Sequence, residues 1–158
     1  MRLLPMKITS ALIMCLLIGA WNSAIAKPKP ATSIPAANLI QPAELAAVLQ
    51  SSAAPKPLVL QVGFRTMYVQ SHIAGAEYAG PSNEPAGLQR LRDRVAALPK
   101  DAPIVIYCGC CPWGHCPNVG EAFAALHQLG FTQVKVMYVA ENFGDDWVNQ
   151  GYPVAKGS

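Results

Sequence analysis

Charged side chains are scarce in this 158-residue chain: they make up 13% of it, against 52% apolar residues. That balance excludes a disordered polyelectrolyte, and the length suits one domain with its own core. Net charge is low as well. Lys and Arg number 12 against 9 Asp and Glu, and Arg2 and Lys7 stand at the very start. Beyond residue 26, ten basic side chains therefore face nine acidic ones. Such a chain lacks the electrostatic footprint that nucleic acid or an anionic membrane requires. The densest basic cluster, Arg90, Arg92 and Arg94, reads as the solvated face of a helix, and no arginine follows Arg94. No apolar run reaches the about 20 residues of a membrane-spanning helix, and no internal repeat is visible.

What is present begins with an address. Arg2 and Lys7 precede an unbroken apolar run from Ala11 to Trp21, and Ala24-Ile25-Ala26 closes it with small residues. This is the pattern of a secretory signal peptide over residues 1–26, cleaved after Ala26. It predicts a periplasmic or secreted product with no membrane attachment after cleavage, in an oxidising compartment. Residues 27–40, with Pro28, Pro30 and Pro35, read as a stiff tether. One domain is expected over 41–156. Its helices are predicted near 41–50, 66–71, 85–98, 118–129 and 142–150, and its strands at 58–62, 76–79, 104–107 and 134–139. The helix at 118–129 is closed by Gly130 at C′. Strands alternating with helices imply a parallel sheet covered on both faces. Ligands of such sheets bind beyond the carboxyl ends of the strands.

Apart from Cys15, every cysteine falls in Cys108-Gly109-Cys110-Cys111-Pro112-Trp113-Gly114-His115-Cys116, between the 104–107 strand and the 118–129 helix. An ordinary thiol with a pKa near 8.5 is only about 3% thiolate at pH 7, and lowering the pKa by two units takes roughly 2.7 kcal/mol. A helix N-terminus supplies up to ~2 kcal/mol when partly buried, and loop amides can supply the rest. The sequence therefore predicts a reactive thiolate at Cys108, presented by main-chain dipoles with no cationic side chain.

These residues resemble the rhodanese-like family. Leu58-Val59-Leu60-Gln61-Val62, Tyr68 and His72-Ile73-Ala74-Gly75-Ala76 follow the family's strand and its GHIPGA motif. Tyr107-Cys108 matches the strand that delivers its active-site cysteine, and Gly130-Phe131, Val134, Trp147, Gly151, Pro153 and Val154 match its tail. The resemblance implies an α/β, three-layer fold with a central parallel sheet flanked by helices. It also implies sulfane-sulfur transfer through a persulfide on Cys108. Two departures stand out. The family usually carries Asp where Gln61 stands and Arg where Gly63 stands, and its five-residue loop usually ends in Arg or a similar polar donor. The loop here is longer and contains no Arg. Phosphatase relatives need C-x5-R to fork onto phosphate oxygens, so phosphatase activity is excluded.

The leading reading is an exported sulfurtransferase or thiol–disulfide relay with Cys108, Cys111 and Cys116 in catalysis. Cys111 or Cys116 resolves the persulfide. Gly109, Cys110, Trp113, Gly114 and His115 line the substrate site. No cofactor and no metal ligand belong to this reading; the partners are a small sulfur donor or a thiol protein. Two alternatives stay open. One is a catalytically silent binding module stapled by disulfides, paired 108–111 with 110–116 or 108–110 with 111–116. The other is a Zn²⁺ or Cu(I) site in the cysteine loop. His72 reads as a structural histidine, Trp113 as either a partner contact or a lid packed over the loop, and Arg65 as either an anion contact or a surface ion pair.

Overall fold

The computed structural model describes residues 34–52 and 55–157. The expected signal peptide and most of the tether lie outside these described residues. In chain order the elements are β1 (Leu39–Ile40), α1 (Pro42–Gln50), β2 (Leu58–Gln61), α2 (Arg65–Gln70), β3 (His72–Ile73), β4 (Glu77–Tyr78), α3 (Pro85–Val95), β5 (Ile104–Tyr107), α4 (Pro117–Gln128), β6 (Val134–Met137) and β7 (Val154–Ala155). A 3-10 turn at Ala36–Asn38 precedes β1, and a π-helical turn spans Gly144–Val148.

β5 organises the rest. It is buried at all four positions, as a strand covered on both faces must be. It pairs in parallel with β2 on one side and β6 on the other, and the full sheet runs β1-β6-β5-β2-β4. Alternate β5 side chains feed two cores. Ile104 and Ile106 join Leu60, Val134 and Val136 against Leu91 and Val95 of α3 and Val119, Ala122 and Leu126 of α4. Val105 and Tyr107 join Val59 and Met137 against Leu45 and Ala46 of α1 and Trp147 of the π-helical turn. The result is an α/β, three-layer fold with a five-stranded parallel sheet between helices. Among the described residues, no helix is long and apolar enough to cross a membrane.

The sequence expectation needs correction at four places. The tether does not run to residue 40: Ala36 to Ile40 are folded, and Leu39 and Ile40 pair with Val136 and Met137 as the sheet's edge. The helix expected to reach Leu98 ends at Val95, the strand expected to reach Val139 ends at Met137, and the helix expected over 142–150 is the short π-helical turn. A small antiparallel ribbon of β3 and β7, with Ile73 opposite Val154, was not foreseen. It is tied to the main sheet by the Ile73 N–H, which donates to the Tyr107 hydroxyl at 3.0 Å. His72 is structural, as expected: its ring stacks on Tyr68 at 3.8 Å and its Nδ1 lies 2.7 Å from the Tyr68 carbonyl.

Tyr107 is 1% exposed, so Tyr107→Phe leaves a buried amide without its acceptor. The expected loss is about 1–3 kcal/mol, read as a lower urea midpoint at unchanged slope. An unchanged midpoint would contradict the assigned role of this hydrogen bond.

Candidate active site

The carboxyl end of β5 delivers Cys108, and the loop that follows returns the chain to the start of α4. Gly109 makes the first turn at φ +79°, and a Cβ there would lie 2.8 Å from Phe143 Cβ, so only glycine fits. Pro117 occupies the first turn of α4, where its missing N–H costs nothing, and Cys116 is the N-cap. The two elements thus hold Cys108 and Cys116 at fixed places, 3% and 7% exposed.

The sulfurs converge. Cys108 Sγ lies 3.0 Å from Cys110 Sγ, and Cys110 Sγ lies 2.7 Å from Cys111 Sγ. Cys108, Cys110 and Cys116 have all three sulfur atoms within 4.8 Å of one another. None of the four cysteines of the loop is joined in a disulfide, so neither anticipated pairing is formed. Asn118, fully buried on the first turn of α4, donates from Nδ2 to Cys108 Sγ at 3.3 Å. Its Oδ1 accepts the Asn83 N–H at 3.1 Å, which fixes the amide's orientation. Gln61 donates to the Cys108 carbonyl at 3.2 Å. A Cβ on Gly63 would stand 2.7 Å from Cys108 Sγ, so the position that usually carries Arg in the resembling family is cleared here for the sulfur.

Within this sulfur cluster the direction of shift differs from thiol to thiol: Cys116 is drawn down and Cys108 up. The Cys116 thiol is lowered to about 3 by hydrogen bonding from Cys108, then from Cys110, with the Val119 and Asn118 amides adding to it against the cost of burial. Cys108 receives a favourable hydrogen bond from Cys110. Donation to Cys116, burial and the nearby Cys116 charge outweigh it and push Cys108 up to about 12. Cys110 is raised by its hydrogen bonds to Cys108 and Cys116 and by burial, and Cys111 is raised chiefly by burial. Cys116 also stands at the start of α4, where the helix dipole favours a negative sulfur. The groups that draw Cys116 down are thiols and amides.

Two cavities meet the loop from different sides. One, of about 520 Å³, is bounded by Gln61, Cys108, Gly109, Cys110, Phe143 and Lys156. The other, of about 920 Å³, lies between α3 and α4 and reaches Gly114, His115 and Cys116 together with Arg92 and Phe123. Cys111 faces neither; it lines a void of about 10 Å³ with Trp113 and Val139. Trp113 is a lid rather than a free contact. Its N–H donates to the Ala140 carbonyl at 3.1 Å, and its ring packs 5.0 Å from Tyr138. Arg65 lies over the Tyr78 ring, and Asp146 accepts the Glu141 and Asn142 amides.

Sequence reasoning missed Asn118, Gln61, Phe143 and Lys156. Gln61 left a trace as the single polar residue of an apolar strand. Asn118 left a weaker one, as an amide beside the first turn of a helix whose inner face is otherwise apolar.

Comparison with known proteins agrees with this geometry. Residues 42–139 match the family model described as Rhodanese-like domain. Among solved structures, the rhodanese-like domain of the Anabaena sp. Alr3790 protein is 22% identical, with a TM-score of 0.56, over 75% of this chain and 79% of that one. The BH2092 protein of Bacillus halodurans is 22% identical, with a TM-score of 0.57, over 74% and 75%. At that identity the likeness establishes the fold. No curated protein matches the chain.

Limited alkylation of the reduced protein should label Cys116 first. Its rate should stay nearly flat from pH 8 to about pH 5, where an ordinary thiol has lost its thiolate. Peptide mapping that finds the first label on Cys108, or a rate that collapses below pH 7, would contradict this assignment.

Proposed function

The chain belongs to the rhodanese-like domain family, and on that premise we propose that it strips sulfane sulfur from a small donor and releases it as sulfide, using Cys116 and Cys108 as a pair. The observation that carries this reading is the sulfur geometry: Cys108 and Cys116, both buried, bring their sulfur atoms within 4.8 Å of each other, one at the end of β5 and the other at the start of α4. The roles are exchanged relative to those that the resemblance suggests.

The chemistry balances as follows. The Cys116 thiolate attacks the outer sulfur of a donor such as thiosulfate. The donor's S–S bond breaks, sulfite leaves with the electron pair, and Cys116 carries a persulfide. Cys108 then attacks the inner sulfur. A Cys108–Cys116 disulfide forms, and hydrosulfide departs carrying the proton that Cys108 held. The sulfane sulfur is reduced by two electrons and the two cysteines are oxidised by two. A partner dithiol must reduce the disulfide before the next cycle. Arg92 and His115 border the cleft at Cys116 and suit an anionic donor. We place this chemistry in an exported compartment, on the strength of the leader pattern in residues 1–26.

The test is sulfide release from thiosulfate with a dithiol reductant. Cys116→Ser should lower turnover by about 100-fold or more and leave no persulfide anywhere. Cys108→Ser should accumulate the persulfide on Cys116, seen by mass spectrometry as one added sulfur atom. Cys111→Ser should stay within about twofold of wild type. A persulfide trapped on Cys108 in Cys116→Ser would overturn the proposed roles, and absence of sulfide release from the wild type would overturn the activity.

A further inference from the structure

Cys110 has no step in this sulfur chemistry, yet it sits at its centre. We infer that Cys108, Cys110 and Cys116 together form a three-sulfur site for monovalent copper, with Cys111 outside it.

The geometry comes first. Three sulfurs around one ion, each at roughly 2.3 Å, stand about 4 Å apart. The three sulfur atoms here already lie within 4.8 Å of one another. Cys108 and Cys110, now 3.0 Å apart, have to open by about 1 Å to admit the ion. Two of the ligands are anchored, at the end of β5 and at the cap of α4, while Cys110 rides on the loop between them and can make that adjustment.

The ligand set selects the metal. It is entirely sulfur, the soft donor type that suits Cu(I) and zinc. A structural zinc site closes a tetrahedron with four protein ligands. Among the described residues, no fourth histidine, cysteine or carboxylate atom completes this group. Cys111 interacts with Cys110 and Cys116, but its sulfur lies outside the mutual set. Three sulfurs with no fourth partner favour Cu(I).

The surroundings fit the charge. Three thiolates around one monovalent ion leave a net charge of minus two. Asn118 Nδ2 already points at Cys108 Sγ, and Cys116 stands at the start of α4. These are the outer groups that orient and stabilise bound thiolates. Cys108 and Cys116 are both almost fully buried, which shields an ion between them from water. Binding involves no electron transfer when copper is supplied as Cu(I); each sulfur enters as thiolate, and any thiol proton is released to solvent.

The inference does not rest on the sulfur-transfer reading, and its readout does not depend on activity. The reduced wild-type chain and its single-cysteine variants are titrated anaerobically with acetonitrile-stabilised Cu(I), in competition with a chromophoric Cu(I) chelator. X-ray absorption is recorded on the loaded protein, and circular dichroism checks that each variant is folded. The expected result is one copper per chain with three sulfur neighbours. Cys111→Ser should retain wild-type affinity. Cys110→Ser, Cys108→Ser and Cys116→Ser should each lose more than about 100-fold, beyond what removing a merely supporting residue costs. Cys110→Ser lies in the loop rather than in the core, so it keeps the test informative should the buried variants unfold. Less than one copper per wild-type chain, full affinity in folded Cys110→Ser, or a loss in Cys111→Ser equal to that in Cys110→Ser would overturn the site. Tighter binding of Zn²⁺ than of Cu(I) would overturn its assignment to copper.

Discussion

The close cluster of buried sulfurs between β5 and α4 is the interaction on which the rest of the site depends. A helix start leaves amides without partners, and proteins usually satisfy them with a side-chain oxygen. Here Cys116 stands at that position, buried beside the sulfurs of Cys108 and Cys110. Hydrogen bonding from Cys108 and then from Cys110 is the main cause that draws its thiol down, with the Val119 and Asn118 amides adding less. The neighbouring thiols are pushed up by hydrogen bonds within the cluster and by burial. Cys108, Cys110 and Cys116 therefore act on one another, and Cys116 differs from Cys108 in the direction of its shift.

The fold serves this arrangement by bringing two rigid ends together. β5, flanked by β2 and β6, cannot shift without disturbing both cores. α4 packs its inner face on the same sheet. The loop between them turns at Gly109, and Gly63, just after β2, lies beside it; both are small because Phe143 and Cys108 leave no room for a side chain. Where the resembling family carries an ion pair, this chain has Gln61 holding the Cys108 carbonyl and an open space for sulfur. The change removes a charged pair next to the site, consistent with a centre built from thiols and amides.

Much of this was legible in the sequence. The strand at 104–107 and the helix after Cys116 carry strong patterns, and the cysteines between them are too dense to be incidental. Two-residue strands were not legible. His72 pairs with Ala155 across most of the domain, and neither segment has enough residues to show a period. Leu39 and Ile40 looked like the end of a tether because their partners on β6 lie nearly a hundred residues away in the chain. The choice between Cys108 and Cys116 was also hidden. Spacing places both at the end of an element, but the sign of a shift depends on burial and on neighbouring sulfurs, which only the folded loop defines. Asn118 was overlooked because a polar residue near a helix start is ordinarily solvated, whereas this one is turned inward and held by Asn83.

The most direct check of the central claim is the ultraviolet absorbance of thiolate in the reduced protein, followed from neutral pH downward. The account expects one thiolate equivalent per chain that survives to about pH 4, persists in Cys108→Ser and is missing from Cys116→Ser. A signal that vanishes by pH 7, or one that Cys108→Ser removes and Cys116→Ser keeps, would contradict it.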